Sequence, residues 1–170
     1  MYRKNIIGGS IRRLYMRRTD RQVTDIDEIL GILGGCEVCR LAFSGEKPYI
    51  VPLSFGYSYK NGSLTLYFHC AGEGEKLRRL KASADVCFEA DRGARAYGGE
   101  SPCSWTTSYE SVIGFGKARF LTAEAEKRAA LEHIMKHYGF GGEMNFEPSA
   151  LEKTTVFSVT ADSFTAKRHD

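Results

Sequence analysis

The sequence of 170 residues contains no run of apolar residues near the roughly 20 that a membrane-spanning helix needs. The basic residues near its start are not followed by an apolar segment of the length found in secretory signals. Its 18 glycines have no three-residue period, which excludes a collagen-like chain. The sequence also lacks a P-loop, a GxGxxG motif, a Ser-His-Asp signature and a recognisable pair of catalytic carboxylates. We therefore expect a cytoplasmic globular protein without a membrane partner.

The composition is that of an ordinary globular domain, with 42% hydrophobic and 26% charged residues. A chain of this length buries roughly 70% of the surface that its unfolded form exposes. It can therefore form a hydrophobic core without disulfides or metal ions. The length predicts one domain, and no internal repeat or linker divides the chain.

Positive charge is concentrated at the N-terminus, where residues 1–22 hold seven of the 24 basic residues and one of the 21 acidic residues. Such an arm can bind nucleic acid or anionic lipid, or can be a solvated tail. We favour the tail, since the sequence has no helix-turn-helix and no aromatic RNA-binding platform. The predicted organisation is an arm over 1–22, which an alternative start at Met16 would largely remove, and a single domain over 23–170.

Two spacings in the sequence resemble metal or redox motifs, and neither is complete. Cys36 and Cys39 form a CxxC pair, but a zinc site needs a second pair of ligands, and no matching CxxC or HxxxH lies nearby. Cys39 lies in an apolar alternation and is interpreted as a small buried hydrophobe. His133 and His137 are four residues apart, but their helical positions fall on the polar face with Lys136. We expect free thiols in a reducing compartment and no metal site.

Hydrophobic periodicity predicts three helices and six strands. The first helix begins at the cap residue Asp25 and ends at Gly34, the second covers 74–82, and the third begins at Thr122 and ends at Gly139. The predicted strands cover 38–43, 48–57, 64–69, 85–90, 104–120 and 154–161. Loops are expected over 92–102 and 139–148. Many strands with few helices between them favour a mostly antiparallel β-barrel with peripheral α-helices.

The stretch from Leu64 to Leu80 is the most informative candidate site. A predicted strand ends at His69, a glycine-containing turn follows, and a helix begins with Lys76 in its first turn. The free amides of a helix N-terminus favour an anion, and the lysine adds a positive charge. Glu73 and Glu75 would oppose an anion unless they point away. By itself the pattern also fits an ordinary strand, turn and helix with a surface lysine.

Two further predicted strands contain residues that are candidates for ligand binding. Pro52 lies within a predicted strand, which implies an edge or a bulge, because proline cannot donate to a β-ladder. Backbone groups there are then available to a planar ligand. Trp105 and several hydroxyl side chains lie along the predicted strand 104–120. The tryptophan is expected either in the core or an interface, or stacked on a ligand.

Taken in order, five segments resemble the pyridoxamine-phosphate-oxidase-like flavin-binding split barrels, and within them the nitroimidazole-resistance group. They are CRLAF, YIVPLSFGY, LYFHCAGEGEKLRRL, VCFEAD and SYESVIGFGKARFL. The resemblance covers about residues 16–168. It implies a six-stranded antiparallel split β-barrel with peripheral α-helices, a homodimer, and one flavin mononucleotide (FMN) at each end of the dimer interface. The chain ends at Asp170 without the substrate-binding tail of true pyridoxamine phosphate oxidases, so oxidation of vitamin B6 is not expected.

The resemblance also implies which residues hold the cofactor. These residues are Val51, Pro52, Leu53, Ser54, Phe68, His69, Lys76, Ser111 and Val112. Residues 51–54 match the strand along the isoalloxazine ring, Phe68 and His69 match the strand end beside it, and Lys76 matches the phosphate-binding lysine. Ser111 and Val112 match the strand near the phosphate or ribityl chain. His69 corresponds to the active-site histidine of nitroimidazole reductases in this group.

The function implied is that of an FMN-dependent oxidoreductase that reduces small electron-poor molecules such as nitroaromatics. A nicotinamide nucleotide could serve as the electron donor, which the sequence does not identify, and His69 would donate a proton or position the substrate. Three alternatives stay open. FAD or a deazaflavin could replace FMN, the protein could be a non-catalytic flavin- or haem-binding sensor or storage protein, and His69 could do no more than hydrogen-bond to the backbone.

Overall fold

The computed structural model describes residues 16–170, and most of the predicted basic arm lies outside them. Eight strands and four α-helices follow one another in this part of the chain. They are β1 (Gln22–Val23), α1 (Ile26–Gly34), β2 (Cys39–Phe43), β3 (Tyr49–Leu53), β4 (Phe55–Lys60), β5 (Ser63–Cys70), α2 (Glu75–Ala82), β6 (Asp85–Tyr97), β7 (Thr106–Leu121), α3 (Glu124–His137), α4 (Pro148–Lys153) and β8 (Thr155–His169). Short 3₁₀ turns cover Thr19–Arg21 and Pro102–Ser104.

The strands form one antiparallel sheet in the order β3-β2-β6-β7-β8-β5-β4, with β1 added beside β8. The strands at the two ends of this order, β3 and β4, are separated in sequence by Ser54 alone. The sheet must therefore curl round until its two edges meet at that residue. This closure makes the sheet a split barrel and confirms the predicted fold class, with eight strands in place of the expected six.

The strand boundaries differ from the prediction in several places, and the last strand, β8, continues to His169, eight residues beyond its predicted end at 161. The predicted strand 48–57 divides at Ser54 into β3 and β4, because the chain passes there from one edge of the sheet to the other. The predicted loop 92–102 is wrong over its first half, since β6 continues to Tyr97 and pairs with the start of β7. Both faces of this extension are largely exposed, so it has no apolar alternation. The backbone ladder alone defines it.

The barrel interior is filled by alternate residues of the strands. Leu64, Leu66 and Phe68 of β5 are at most 1% exposed, as their alternation predicts. Phe68 stacks on Phe157 of β8, with ring centroids 5.2 Å apart. Burying each such side chain stabilises the fold by about 1.5–3 kcal/mol. The direction of every β5 side chain, His69 included, follows from this register.

Helix α3 lies against the outer surface of β4 and β5. It begins after Ala123, and no side chain caps it, so the predicted cap at Thr122 is wrong. Ile134 of this helix is buried, whereas Tyr138, directly after its last residue, is 44% exposed. The helix backbone approaches β4 so closely at Gly56 that a Cβ there would lie 2.4 Å from the carbonyl carbon of His133. A glycine is therefore required at this crossing.

The two histidines of α3 face the barrel, and their predicted position on a polar face is wrong. His133 stacks on Tyr67 with ring centroids 4.8 Å apart and an interplanar angle of 6°. His137 Nε2 lies 2.8 Å from the carbonyl oxygen of Cys36. The close approach at Gly56 rotates this side of the helix inward, and the imidazoles fill the space on either side of the crossing.

The CxxC pair is part of the core. Cys36 and Cys39 are each 1% exposed, and the Cys36 thiol donates to the carbonyl oxygen of Ile32 at 3.2 Å. Burial raises the pKa of Cys36 to about 11 and also raises the pKa of Cys39. Both side chains are therefore thiols at neutral pH, and Cys39 is the small buried hydrophobe that its alternation predicts. Within residues 16–170, no group of three or more His, Cys, Asp or Glu residues is placed to hold a metal ion.

The longest helix of the described chain, α3, has 14 residues. Neither it nor any other helix in residues 16–170 combines the length and apolar character needed to cross a membrane.

Replacing Gly56 by alanine should lower the free energy of unfolding by about 1–3 kcal/mol, because the added Cβ overlaps the α3 backbone. Gly31 inside α1 is the matched control, since a Cβ there meets nothing within 4 Å. Gly31→Ala should raise the free energy of unfolding by about 0.5–1 kcal/mol. Urea unfolding followed by circular dichroism measures both. Equal values for the two variants would contradict the close contact between α3 and β4.

Candidate functional site

Three of the predicted site residues lie together where β5 ends. Phe55 of β4 pairs with Phe68 of β5. Ser54, one residue before Phe55, therefore lies beside His69, one residue after Phe68. Lys76, in the first turn of α2, is close enough for its charge to affect the pKa of His69. We call this cluster of Ser54, His69 and Lys76 the His69 site.

His69 is on the outer face of the barrel, opposite the buried Phe68, as its strand alternation predicts. The residue is exposed, yet its surroundings remove enough water from the ring to lower its pKa from the ordinary value. Partial burial is the larger cause, and the positive charge of Lys76 is the second. At neutral pH the imidazole is therefore mainly uncharged. Its protonated form is a stronger acid than free imidazolium.

The N-terminus of α2 has the features expected of an anion site. Gly74 is the cap residue at φ 126°, a conformation that favours glycine, and no side chain of the described residues caps the helix. The first amides of a helix have no intrahelical acceptor. From the sequence, the negative charge of Glu75 could repel an anion. In the structure its carboxylate instead forms ion pairs with the guanidinium groups of Arg78 and Arg79, each at 2.6 Å, on the same helix. These guanidinium groups lower the pKa of Glu75 to about 2 and balance its charge.

Strand β3 is an edge strand, as Pro52 predicts. Among the strands of residues 16–170 it pairs with β2 alone, and Pro52 lies opposite Arg40. Val51 and Leu53 pack against the core, whereas Pro52 points outward, and Ser54 follows in an exposed position. The outward surface of β3 thus leads directly to the His69 site.

Two of the predicted cofactor residues have their side chains in the core. Phe68 and Val112 are both 0% exposed. Val112 lies on β7 between β6 and β8, opposite Ala90 and Ala166. At both positions a cofactor could meet only main-chain atoms.

Ser111 does not reach the His69 site within one chain. His69 pairs with Val156, and Val156 pairs with Leu121 of β7. Ser111 precedes Leu121 by ten residues, which corresponds to about 33 Å of strand. The resemblance therefore assigns to one cofactor site residues that a single chain holds far apart.

Sequence reasoning missed an exposed sheet surface on β2, β3, β6 and β7, which we call the open face. One cross-strand row of it consists of Ile50, Ala42, Cys87 and Phe115. Ile50 is 58% exposed. Beside this row, Arg40 forms ion pairs with Glu89 and Asp91. The available signal was the presence of large apolar residues at outward positions, Ile50 in β3 and Ile113 and Phe115 in β7.

Trp105 lies at the far end of β6 and β7, outside the core. It is 59% exposed, and its indole Nε1 donates to the carbonyl oxygen of Gly99 at 3.1 Å. The core alternative for this residue is therefore wrong.

The lowered pKa of His69 gives the fold a pH dependence of defined sign. The unfolded chain, whose histidines titrate near pH 6.5, binds more protons than the folded state in the interval just below that value. The contribution of His69 to stability is therefore complete above about pH 6.5 and is lost as the pH falls towards its folded pKa. His133, whose pKa is also lowered chiefly by burial, adds a term of the same sign.

An NMR titration of the imidazole C–H signals should place the His69 midpoint below 6.5. Lys76→Met should raise that midpoint without restoring it to 6.5, because partial burial is the larger cause. A His69 midpoint at or above 6.5 in the parent protein would contradict the description of the site.

Comparisons with known proteins agree with this architecture. The family model described as pyridoxamine 5'-phosphate oxidase matches residues 25–168. A solved structure from Bacteroides thetaiotaomicron, described as a candidate 5-nitroimidazole antibiotic resistance protein, is 30% identical, with a TM-score of 0.75 and 86% of each chain covered.

Two other solved structures share the fold at lower identity. The FAD and haem binding protein from Mycobacterium smegmatis is 18% identical, with a TM-score of 0.75, and the match covers 88% of this chain and 74% of that one. A flavocytochrome from Azotobacter vinelandii is 19% identical, with a TM-score of 0.77 and coverages of 95% and 75%. No curated protein matches the sequence. The match over residues 25–168 and the split barrel together show that the chain belongs to the pyridoxamine 5'-phosphate oxidase family.

Proposed function

We propose that this chain is a cytoplasmic flavoprotein that binds FMN at the His69 site and reduces small electron-poor molecules, with nitroaromatics as the substrate class. A nicotinamide nucleotide is the proposed electron donor. The observation that carries the proposal is the meeting of Ser54, His69 and Lys76 beside the outward surface of β3, in a chain of this family. The flavin, when bound, supplies the electron chemistry, and the protein supplies binding, orientation and protons.

The residues of the site suit a phosphorylated, planar cofactor. Lys76 forms no ion pair with an acidic side chain of residues 16–170, and Glu75 beside it is already neutralised. An ammonium group next to free helix amides can hold a phosphate. One lysine in the first turn of α2 matches the single phosphate of FMN better than the diphosphate of FAD. The outward surface of β3 offers a ring a flat, proline-containing edge.

His69 can supply the protons that the reaction needs in addition to electrons. Reduction of a nitro group consumes protons as well as electrons. An imidazole with a lowered pKa is neutral between turnovers and gives up a proton readily once protonated. Its exposed position on the outer face allows it to take that proton from water.

The separation of Ser111 from His69 supports a homodimer. If Ser111 serves a cofactor, that cofactor is bound at the His69 site of a second chain. The open face is the surface that such a second chain would cover, because its apolar row lies on the outward side of the strand that carries Ser111. Exposed apolar rows of this kind mark protein interfaces.

Lys76→Met should weaken FMN binding by about 10- to 150-fold, the loss of one charge-assisted hydrogen bond. Riboflavin, which lacks the phosphate, should bind the variant and the parent equally. Lys81→Met on the same helix is the matched control and should leave FMN affinity unchanged. Isothermal titration calorimetry measures the affinities of the parent and both variants. Unchanged FMN affinity in Lys76→Met would reject the phosphate assignment.

His69→Ala should keep the flavin and lose about 10²- to 10⁴-fold in nitro reduction, the effect of removing a proton-transfer group. The measurement is anaerobic single-turnover oxidation of chemically reduced protein by a nitroaromatic compound, across pH. His69→Gln keeps a hydrogen-bonding side chain without a titratable proton and should be equally slow. Parent-like rates in both variants would remove His69 from the mechanism. Lost flavin with a normal rate per bound flavin would reassign it to cofactor binding.

Phe115→Arg should convert a dimer into a monomer, because a charge in the apolar row of the open face cannot be buried against a second copy. Light scattering coupled to size exclusion should give twice the chain mass for the parent and the single chain mass for the variant. Phe140→Arg is the control, since Phe140 is also exposed (44%) but lies after α3, away from the open face. A monomeric parent with full flavin occupancy would contradict the proposed assembly.

A further inference from the structure

A groove of about 310 Å³ opens between α2, the C-terminal end of β7 and the start of β8. Its floor is apolar and consists of Leu77, Phe120, Leu121 and Val156. Its rim carries two lysines, Lys81 and Lys127, one acid, Glu152, and three threonines, Thr122, Thr154 and Thr155. An apolar floor with a few polar groups at this volume is typical of a site for a small organic molecule.

The groove does not include the lysine of the proposed phosphate site, although Gly72 of the turn between His69 and α2 is among its lining residues. Lys76 and Lys81 are five residues apart on α2, which places them about 140° apart around the helix axis. The groove is lined by Leu77 and Lys81, whereas Lys76 is not among its residues. The two sites are nevertheless neighbours, because Val156 of the groove floor pairs with His69.

The charge of the groove favours an anion. Lys127 Nζ donates to the carbonyl oxygens of Leu151 at 2.8 Å and of Thr154 at 2.9 Å. An ammonium group has three N–H donors, so one is left. Within residues 16–170, no carboxylate lies within ion-pair distance of Lys127 or Lys81. The rim therefore has two positive charges without acidic partners, against the single negative charge of Glu152.

We propose that this groove binds a small organic anion, a carboxylate attached to an apolar body about one ring in size. The ring would lie on Phe120, the one apolar residue of the floor that is only partly buried, and the carboxylate would lie between Lys81 and Lys127. The apolar floor is the reason for an organic anion, since an inorganic ion would leave it exposed to water. The proposal does not depend on flavin binding.

Benzoate is the probe, titrated into the full-length protein by isothermal calorimetry and by NMR. Lys127→Met and Lys81→Met keep the apolar stems and should each weaken benzoate binding by about tenfold or more. Lys136→Met on α3 is the matched control, since that lysine lies outside the groove and is paired with Glu132 at 3.7 Å. Glu152→Gln should strengthen binding, because it removes the one opposing charge. Inorganic phosphate should bind more weakly than benzoate.

Lys127→Met also removes two hydrogen bonds at the end of α4, so its thermal midpoint is measured alongside. Lys81→Met breaks no such contact and carries the test if Lys127→Met unfolds. The proposal is overturned if benzoate does not saturate the protein, or if Lys81→Met and Lys136→Met bind it equally. It is also overturned if Lys76→Met alone abolishes binding, since benzoate would then occupy the His69 site. If the parent protein binds benzoate but does not bind flavin, the proposed function is rejected and this inference stands.

Discussion

Closure of the sheet through Ser54 is the constraint on which the other features of this structure depend. Because β3 and β4 are joined by one residue and lie at opposite ends of the sheet, the strands between them must curl into a barrel. The same closure brings the outward surface of β3 to the end of β5, where His69 lies. Helix α3 then covers the outside of β4 and β5, which its close contact at Gly56 permits. The candidate site is thus a direct result of how the barrel closes.

The barrel strands could be predicted from the sequence because each has one buried face, which imposes a period of two. The extension of β6 to Tyr97 could not, since both of its faces are largely exposed and its stability comes from backbone pairing with β7. The inward orientation of His133 could not be predicted from the hydropathy pattern either. Hydropathy treats an imidazole as polar, whereas its stack on Tyr67 is a packing contact.

The candidate site shows the same division. The order of strand, turn and helix located His69 and Lys76, because these positions follow from local spacing. The ion pairs of Glu75 with Arg78 and Arg79 depend on side-chain conformation, which cannot be read from the sequence. The distance of Ser111 from His69 depends on strand register over the whole sheet. Local sequence therefore indicates the chemistry of a residue better than it indicates which residues the fold brings together.

Pro52 also protects the molecule against aggregation. In the described part of the chain, one side of strand β3 is unpaired and the strand carries the exposed Ile50, which makes it a template on which a strand of another molecule could add. A proline in the middle of this edge has no amide hydrogen to offer, so an incoming strand loses a hydrogen bond there. The residue that marks the edge strand beside the candidate site therefore also limits uncontrolled growth of the sheet from one protein molecule to the next.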